Sequence, residues 1–414
     1  SLTQGARNLA EDIRRAVLGE APAGAEQFIP GQQVALTQGK VIFRNRLIEL
    51  IQYAPRTARV RPEPVLIVPA WIMKYYILDL SPDNSLIRHL VEAGFTVFAI
   101  SWKNPGAAER DCSMDDYFRQ GIMDALTAVR AIDSGARVHA AGYCLGGTLL
   151  AAAAAALARE GTHPLASLTL FAAQVDFEEA GELTLFIDHS QVALLEDMMS
   201  AQGFLETRQM AGAFQMLRSN DLIWSRTLHE YLLGQRSPMT DLMAWNSDAT
   251  RMPFRMHSEY LRRLFLGNDL AAGRFPIEGR VVSLSDIDIP VFSVATRDDH
   301  VAPWRSVYKI HLFTETEVAF VLASGGHNVG VVNPPQSSFA GSGFRAATRG
   351  RGAHYMDASS WLQQAPSFQG SWWPYWFEWL AERSGKAGRP PPMGRPLSGY
   401  PALAEAPGDY VHER

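Results

Sequence analysis

The stretch Arg137–Leu150, RVHAAGYCLGGTLL, restricts what this chain can fold into more than any other. A short apolar and β-branched run, Val138 to Ala141, stops at Gly142-Tyr143-Cys144-Leu145-Gly146, and an alanine-rich helix-forming tract, Leu149 to Ala158, follows. Strand, sharp turn and helix in that order hold the central residue of a G-x-C-x-G pentapeptide in a strained backbone conformation. The glycines two before and two after it let strand and helix pass closely. A free cysteine is usually a small buried core residue. Here it stands at a helix N-terminus, where N–H groups and the helix dipole favour thiolate over thiol, so Cys144 is a candidate nucleophile. The N–H of Leu145 is then placed to donate to an oxyanion formed when that sulfur attacks a carbonyl.

Other segments read as the surroundings of such a turn. Pro64–Pro69 (PVLIVP) and Phe95–Ile100 (FTVFAI) are continuous apolar runs, the form of strands buried on both faces, with a helix over Asn84–Ala93 between them. A further helix over Asp115–Ile132 precedes the turn; strands over Ser167–Ala172, Val291–Thr296 and Val318–Ala323 come after it. Residues 41–53 satisfy neither helical nor strand periodicity cleanly and are read as strands, and residues 1–20 as an amphipathic helix with Leu9, Ile13 and Val17 on one stripe. Alternating strands and helices predict an α/β fold, a mostly parallel sheet with helices on both faces.

That alternation breaks between Ala173 and about Leu270, a segment that reads as helical and holds Met198, Met199, Met210, Met216, Met239, Met243, Met252 and Met256. An insertion there sits over the C-terminal strand ends, where ligands bind, so residues 173–270 are expected to form a cap. The core is then 41–172 with 271–414, and residues 1–40 the tail of an N-terminal domain. Ser337–Gly352 reads as a mobile Gly/Ser/Arg-rich loop whose Arg345, Arg349 and Arg351 are solvated, Gly370–Trp379 as an aromatic docking edge, and the segment from Gly388 as Pro-rich and extended.

A cysteine nucleophile needs a base, and the base needs an orienting acid. His327, in SGGHNVG directly after VAFVLA, is placed to be the base. The acid is Asp298 or Asp299, after VFSVAT, and spacing does not separate the two. Nucleophile, acid, histidine is the chain order of α/β-hydrolase folds. His300 is the rival histidine, more plausibly a neighbour of the acid. A second oxyanion donor is expected after the first apolar strand, from the N–H of Ile72, with Trp71 next.

Net charge is -5 over 414 residues, which argues against nucleic acid as the main partner. Two cysteines, Cys112 and Cys144, rule out a disulfide framework and suggest a reducing, cytoplasmic setting. No apolar run reaches the roughly 20 residues of a bilayer span, and no closely spaced set of metal ligands stands out. The chain opens on Ser1-Leu2 without an apolar leader, the pattern of a processed or shortened chain.

With those residues in view, the chain resembles the polyhydroxyalkanoate synthases, in particular the short-chain, single-subunit class. The likeness rests on LIVPAWIMKYYILDLSPDNS, FAISWKNP, GYCLGGTLL, NDLIW, WNSDAT, RDDHVAPW, SGGHNVGVVNPP and GSWWPYW, from about residue 40 onward. Ala70, where the family often has Pro, and the Gly/Arg-rich stretch after Pro335 depart from it. The resemblance implies an α/β-hydrolase fold with nucleophile Cys144, acid Asp299 and base His327. It also implies polymerisation of 3-hydroxyacyl-CoA, 3-hydroxybutyryl-CoA foremost, through a cysteine-bound thioester, with coenzyme A as leaving group and no cofactor. The partners it implies are the growing polyester chain, the granule surface in the cytoplasm and a second copy across the cap. Two other readings stand beside it: a cysteine-dependent α/β hydrolase of thioesterase or dienelactone-hydrolase type, and a non-catalytic granule-binding protein.

Overall fold

Apolar runs become the strands of one large sheet. In the computed structural model, which describes residues 2–206, 227–248, 250–337 and 341–414, the strands of that sheet are β1 (Gly39–Arg44), β2 (Ile48–Tyr53), β3 (Val65–Val68), β4 (Val97–Trp102), β5 (Val138–Tyr143), β6 (Leu165–Phe171), β7 (Val291–Thr296), β8 (Val318–Ala323), β9 (Gly343–Arg349), β10 (Ser367–Gln369) and β11 (Ala404–Glu405). Their order is β10-β9-β8-β7-β6-β5-β3-β4-β2-β1-β11. From β4 across to β8 neighbours run parallel, and the strands outside that block pair antiparallel. Every residue of β3, β4, β5, β7 and β8 is buried, as strands covered on both faces must be.

Register brings the strand ends level. Gly142 of β5 pairs with Val68 of β3, Tyr143 with Phe171 of β6, Phe171 with Val294 of β7, and Thr296 with Ala323 of β8. The loops that leave β3, β5, β7 and β8 therefore emerge side by side.

Among the helices are α1 (Leu2–Leu18), α2 (Leu86–Glu92), α3 (Asp124–Ile132), α4 (Leu145–Arg159), α5 (His189–Gln202), α6 (Asp241–Asn246), α7 (Phe254–Tyr260) and α8 (Trp373–Glu382). Ser85, Asp188 and Thr240 cap α2, α5 and α6 by accepting backbone N–H groups. Residues 172–290 lie between β6 and β7 and, where described, add no strand to the large sheet; α5, α6 and α7 belong to this segment. Met210, Met216 and the NDLIW stretch at 220–224 fall outside the described residues. No helix among the described residues is long and apolar enough to cross a membrane.

Three expectations are corrected. The helix expected over 115–132 is regular only from Asp124; Tyr117–Met123 is wound as a π-helix. Gly121 sits there against Trp102, whose ring would be 2.4 Å from any Cβ, so the wider turn makes room for the indole. Second, Ser337–Gly352 is not a loop throughout, since Gly343–Arg349 is β9, paired with β8 along its whole length. Its arginines are not simply solvated, although Arg351 is exposed. Arg349 donates to the carbonyls of His311, Thr314 and Thr316, Arg345 to that of Ala365, and Arg351 to that of Asp288. Composition hid this because a guanidinium serves equally well as a solvated cation or as a clamp on free carbonyls. Third, the Pro-rich end is anchored, with Glu405 and Ala404 paired to Lys40 and Val41.

Arg349→Ala is expected to lower stability by about 2 kcal/mol, since three carbonyls lose a charged donor. Arg351→Ala, at an exposed position with one carbonyl partner, should cost about 0.5 kcal/mol or less. Urea unfolding of the two variants side by side measures the difference.

Candidate active site

Cys144 closes β5 and precedes α4 with φ 51 and ψ −123, a conformation that costs of order 1–3 kcal/mol outside glycine. Its neighbours hold it there. The Cys144 N–H donates to the carbonyl of Phe171 at 2.9 Å, and α4 leaves the turn so close to β3 that a Cβ on Gly146 would lie 2.3 Å from the Val68 carbonyl and 2.4 Å from that of Pro69. A Cβ on Gly142 would likewise lie 2.4 Å from the Gly147 Cα. The thiol, 9% exposed, is presented above the strand ends at the start of a fifteen-residue helix.

His327 arrives from the loop after β8. Its Nδ1 lies 2.7 Å from Oδ2 of Asp299, whose side chain is fully buried. The other carboxylate oxygen accepts the N–H groups of Val301 and Ala302, both at 2.8 Å, and Thr296 Oγ1 donates to Oδ2 at 3.2 Å. These donors fix the carboxylate in place. Burial by itself would lower the His327 pKa. The Asp299 carboxylate and the Cys144 sulfur, both charged neighbours and hydrogen-bond partners, outweigh it and raise the imidazole to about 10. Cys144, His327 and Asp299 thus form one electrostatic unit. Asp298 is exposed, and the geometry separates the two carboxylates that spacing left open.

The supporting loops are cross-tied. Asp298 N–H donates to the Gly325 carbonyl, joining the loop of the acid to that of the histidine. Tyr143 Oη donates to Asn328 Oδ1 at 2.6 Å, and its ring lies 5.5 Å from that of His327. The indole N–H groups of Trp372 and Trp373, both fully buried, donate to the carbonyls of Gly330 and Val331, each at 2.9 Å. The aromatic stretch read as a docking edge is therefore also a brace for the histidine loop. On the other side, Thr250 donates its N–H to the Ile72 carbonyl and its hydroxyl to that of Trp71, and Trp245 Nε1 donates to the Lys74 carbonyl at 2.7 Å. That is what WNSDAT does: it pins the loop after β3.

A small cavity opens beside Cys144, with Ile72 and Leu145 on its wall together with Phe177, Leu183, Tyr260 and Phe265. Its lining holds no charged side chain. Ile72 and Leu145, the two expected oxyanion donors, share this lining with Cys144. Trp71 and His300 stand elsewhere: the Trp71 ring packs edge-on to Trp102 and Tyr117 in the core, and the exposed His300 offers its carbonyl to the N–H of Glu182.

Comparison with known proteins identifies the fold and the family. A family model described as the alpha/beta hydrolase fold matches residues 63–334, and one described as the poly-beta-hydroxybutyrate polymerase (PhaC) N-terminus matches residues 1–90. The chain is 44% identical, over 99% of its length and 67% of the relative's, to the poly(3-hydroxyalkanoate) polymerase of Methylorubrum extorquens. It is 43% identical, over 100% of its length and 67% of the relative's, to the poly(3-hydroxyalkanoate) polymerase subunit PhaC of Rhizobium meliloti, and 37% identical, over 99% and 69%, to that of Cupriavidus necator. The chain belongs to the poly(3-hydroxyalkanoate) polymerase family.

Within this polymerase-family chain, sequence reasoning missed the residues that act at one remove: Tyr143, Asn328, Thr250, Trp372 and Trp373. All five lie inside the motifs that carry the resemblance, Tyr143 in GYCLGGTLL, Asn328 in SGGHNVGVVNPP and the others in WNSDAT and GSWWPYW, but nothing local in those motifs tells what each residue holds.

The raised His327 pKa gives a signed expectation. A histidine whose folded pKa exceeds its unfolded value of about 6.5 contributes stability that is full below that value and lost as pH rises through about 10. In Asp299→Asn the raising charge is gone and burial dominates. Urea midpoints measured from pH 6 to 10.5 should show the wild-type advantage over the variant shrinking across that range. A difference that stays constant would mean that Asp299 does not set the charge on His327.

Proposed function

We propose that the chain polymerises 3-hydroxyacyl-CoA, with 3-hydroxybutyryl-CoA as the preferred monomer, through an acyl thioester on Cys144. The observation that carries this reading is a thiol on a strained turn, electrostatically coupled to His327 and Asp299, facing a covered apolar cavity. The family membership supplies the substrate class.

In the proposed cycle, the Cys144 sulfur, ionised against the His327 imidazolium, attacks the thioester carbonyl of the acyl-CoA. The tetrahedral oxyanion is met by the N–H groups of Leu145 and Ile72. Collapse expels the coenzyme A thiolate, which takes the proton from His327 and leaves as the thiol. One thioester replaces another. In elongation, the 3-hydroxyl of a second acyl group attacks an acyl thioester, His327 accepts its proton with Asp299 stabilising the imidazolium, and an ester forms as a thiol is released. No step requires a cofactor.

Water is the competitor of that hydroxyl. A cavity walled by Ile72, Leu145, Phe177, Leu183 and Phe265 holds few groups able to position water. Residues 173–270 act in this reading as a cap that opens to admit substrate, because Cys144 is nearly enclosed. The growing polyester, the cytoplasmic granule surface and a second copy across the cap complete the proposed partners. An N-terminal tail over 1–40 and a core of 41–172 with 271–414 complete the proposed division of the chain.

Incubation with radiolabelled 3-hydroxybutyryl-CoA should label Cys144 and then an insoluble polyester. Cys144→Ala should release no coenzyme A above background, and Asp299→Asn should lower kcat by about 10⁴-fold, as loss of the orienting carboxylate does in other triads. Free 3-hydroxybutyrate in step with coenzyme A, without polymer, would identify a hydrolase instead. Unchanged polymer from Cys144→Ala would exclude the covalent route.

A further inference from the structure

We propose that Phe265 determines how long a substituent on the acyl group the Cys144 site accepts; this rests on the polymerase reading above. Three aromatic rings form the wall of the cavity beyond the sulfur. Phe265 lies 5.0 Å from Phe177 at 61° and 5.2 Å from Tyr260 at 90°, so its ring is wedged edge-to-face between a ring of the loop after β6 and a ring of α7. Tyr260 and Cys144 line the same cavity, together with Phe177 and Phe265. The cavity thus runs from the nucleophile to this wall.

The directions of its polar groups decide which ligand the cavity can hold. Thr148 Oγ1 donates to the Gln174 carbonyl at 2.7 Å, and Gln174 Oε1 accepts from Ser306 Oγ at 3.1 Å. Both are engaged with the protein, so the space they leave is apolar. It fits an alkyl substituent, not the polar coenzyme A. Of the three aromatic residues, Phe177 and Tyr260 are buried while Phe265 is only partly so. Its removal therefore opens the space outward, whereas removal of either neighbour leaves an enclosed void.

The ring is held in place by a polar clasp. Phe177 N–H donates to Asn268 Oδ1 at 2.8 Å, Asn268 Nδ2 donates to Asp176 Oδ1 at 3.1 Å, and Lys309 Nζ lies 3.5 Å from the other Asp176 oxygen. Residues 261–266 are wound as a π-helix, and Asn268 comes next but one with φ 48. The segment that presents Phe265 is fixed at its exit to the loop that presents Phe177, so the wall has a defined position.

The test is competition between 3-hydroxybutyryl-CoA and 3-hydroxyoctanoyl-CoA. The ratio of kcat/KM, octanoyl over butyryl, is read by release of coenzyme A for the wild type, Phe265→Ala, Phe265→Leu and Phe265→Trp. Phe265→Ala should raise the ratio about tenfold or more, Phe265→Leu less, and Phe265→Trp should lower it. Alkylation of Cys144 by iodoacetamide checks that each variant keeps its nucleophile; should the alanine variant not fold, the leucine and tryptophan variants decide. A ratio that stays within twofold of wild type in the folded variants, while the wild type still makes polymer, overturns the assignment of Phe265 alone. A wild type that yields free acid and no polymer overturns the polymerase reading instead.

Discussion

The contact on which this molecule depends most is the passage of α4 over the end of β3. At Gly146 helix and strand backbones are so close that a single methyl group would overlap two carbonyl oxygens. That proximity fixes Cys144 at φ 51. A residue in this region persists only where the surroundings over-determine it. Here they do: strand pairing on both sides of β5 fixes the chain entering the turn, and the packing of α4 on β3 fixes the chain leaving it. Register then does the rest, since level strand ends deliver the acid and the histidine to the same rim without any long loop.

Holding the charges requires a second kind of order. Asp299 is buried with both oxygens occupied, and an unpaired carboxylate there would be costly. Its charge and hydrogen bond, together with those of the Cys144 sulfur, outweigh the desolvation of His327 and keep the imidazole basic. The ring could still tilt away on a glycine-rich loop. Two indole N–H groups from the start of α8 prevent this by binding the carbonyls three and four residues past the histidine.

How far the sequence disclosed this depends on the range of each interaction. Cys144, Asp299 and His327 were legible because each comes directly after an apolar strand, and because glycines mark the turns around the cysteine and the histidine. The parallel sheet was legible for the same reason, through runs such as VLIV and VAFVLA. The choice between Asp298 and Asp299 was legible only through the family resemblance and not from spacing, since it depends on which carboxylate finds the N–H groups of Val301 and Ala302. Nor was β9: Gly343–Arg349 is rich in arginine and alanine, and becomes a strand only because β8 offers an edge and His311, Thr314 and Thr316 offer carbonyls. Its pairing reflects tertiary context overriding local composition.

The loop after β3, which bears Ile72, shows how distant segments share one task. Thr250 and Trp245 bind the carbonyls of Trp71, Ile72 and Lys74 from one side. From the other, the chain terminus reaches in: Lys74 Nζ donates to the carbonyls of Tyr410 and Glu413, while Asn104 N–H donates to the Glu413 carboxylate and Asn104 Oδ1 accepts the N–H of Arg251. Burial lowers the Lys74 pKa, offset by the Asp248 and Glu413 charges. Glu49, wholly buried in β2, accepts the N–H groups of Asp409 and Tyr410 and holds that terminus down. An oxyanion donor must be in place before the oxyanion forms, because a loop that had to rearrange during the reaction would forfeit the stabilisation. Bracing Ile72, the proposed donor, from 245–251 on one side and from 410–413 on the other would meet that requirement, through hydrogen bonds to main-chain carbonyls. It also makes a segment inserted between β6 and β7, and a terminus more than three hundred residues downstream of β3 in the chain, part of the same preorganised wall.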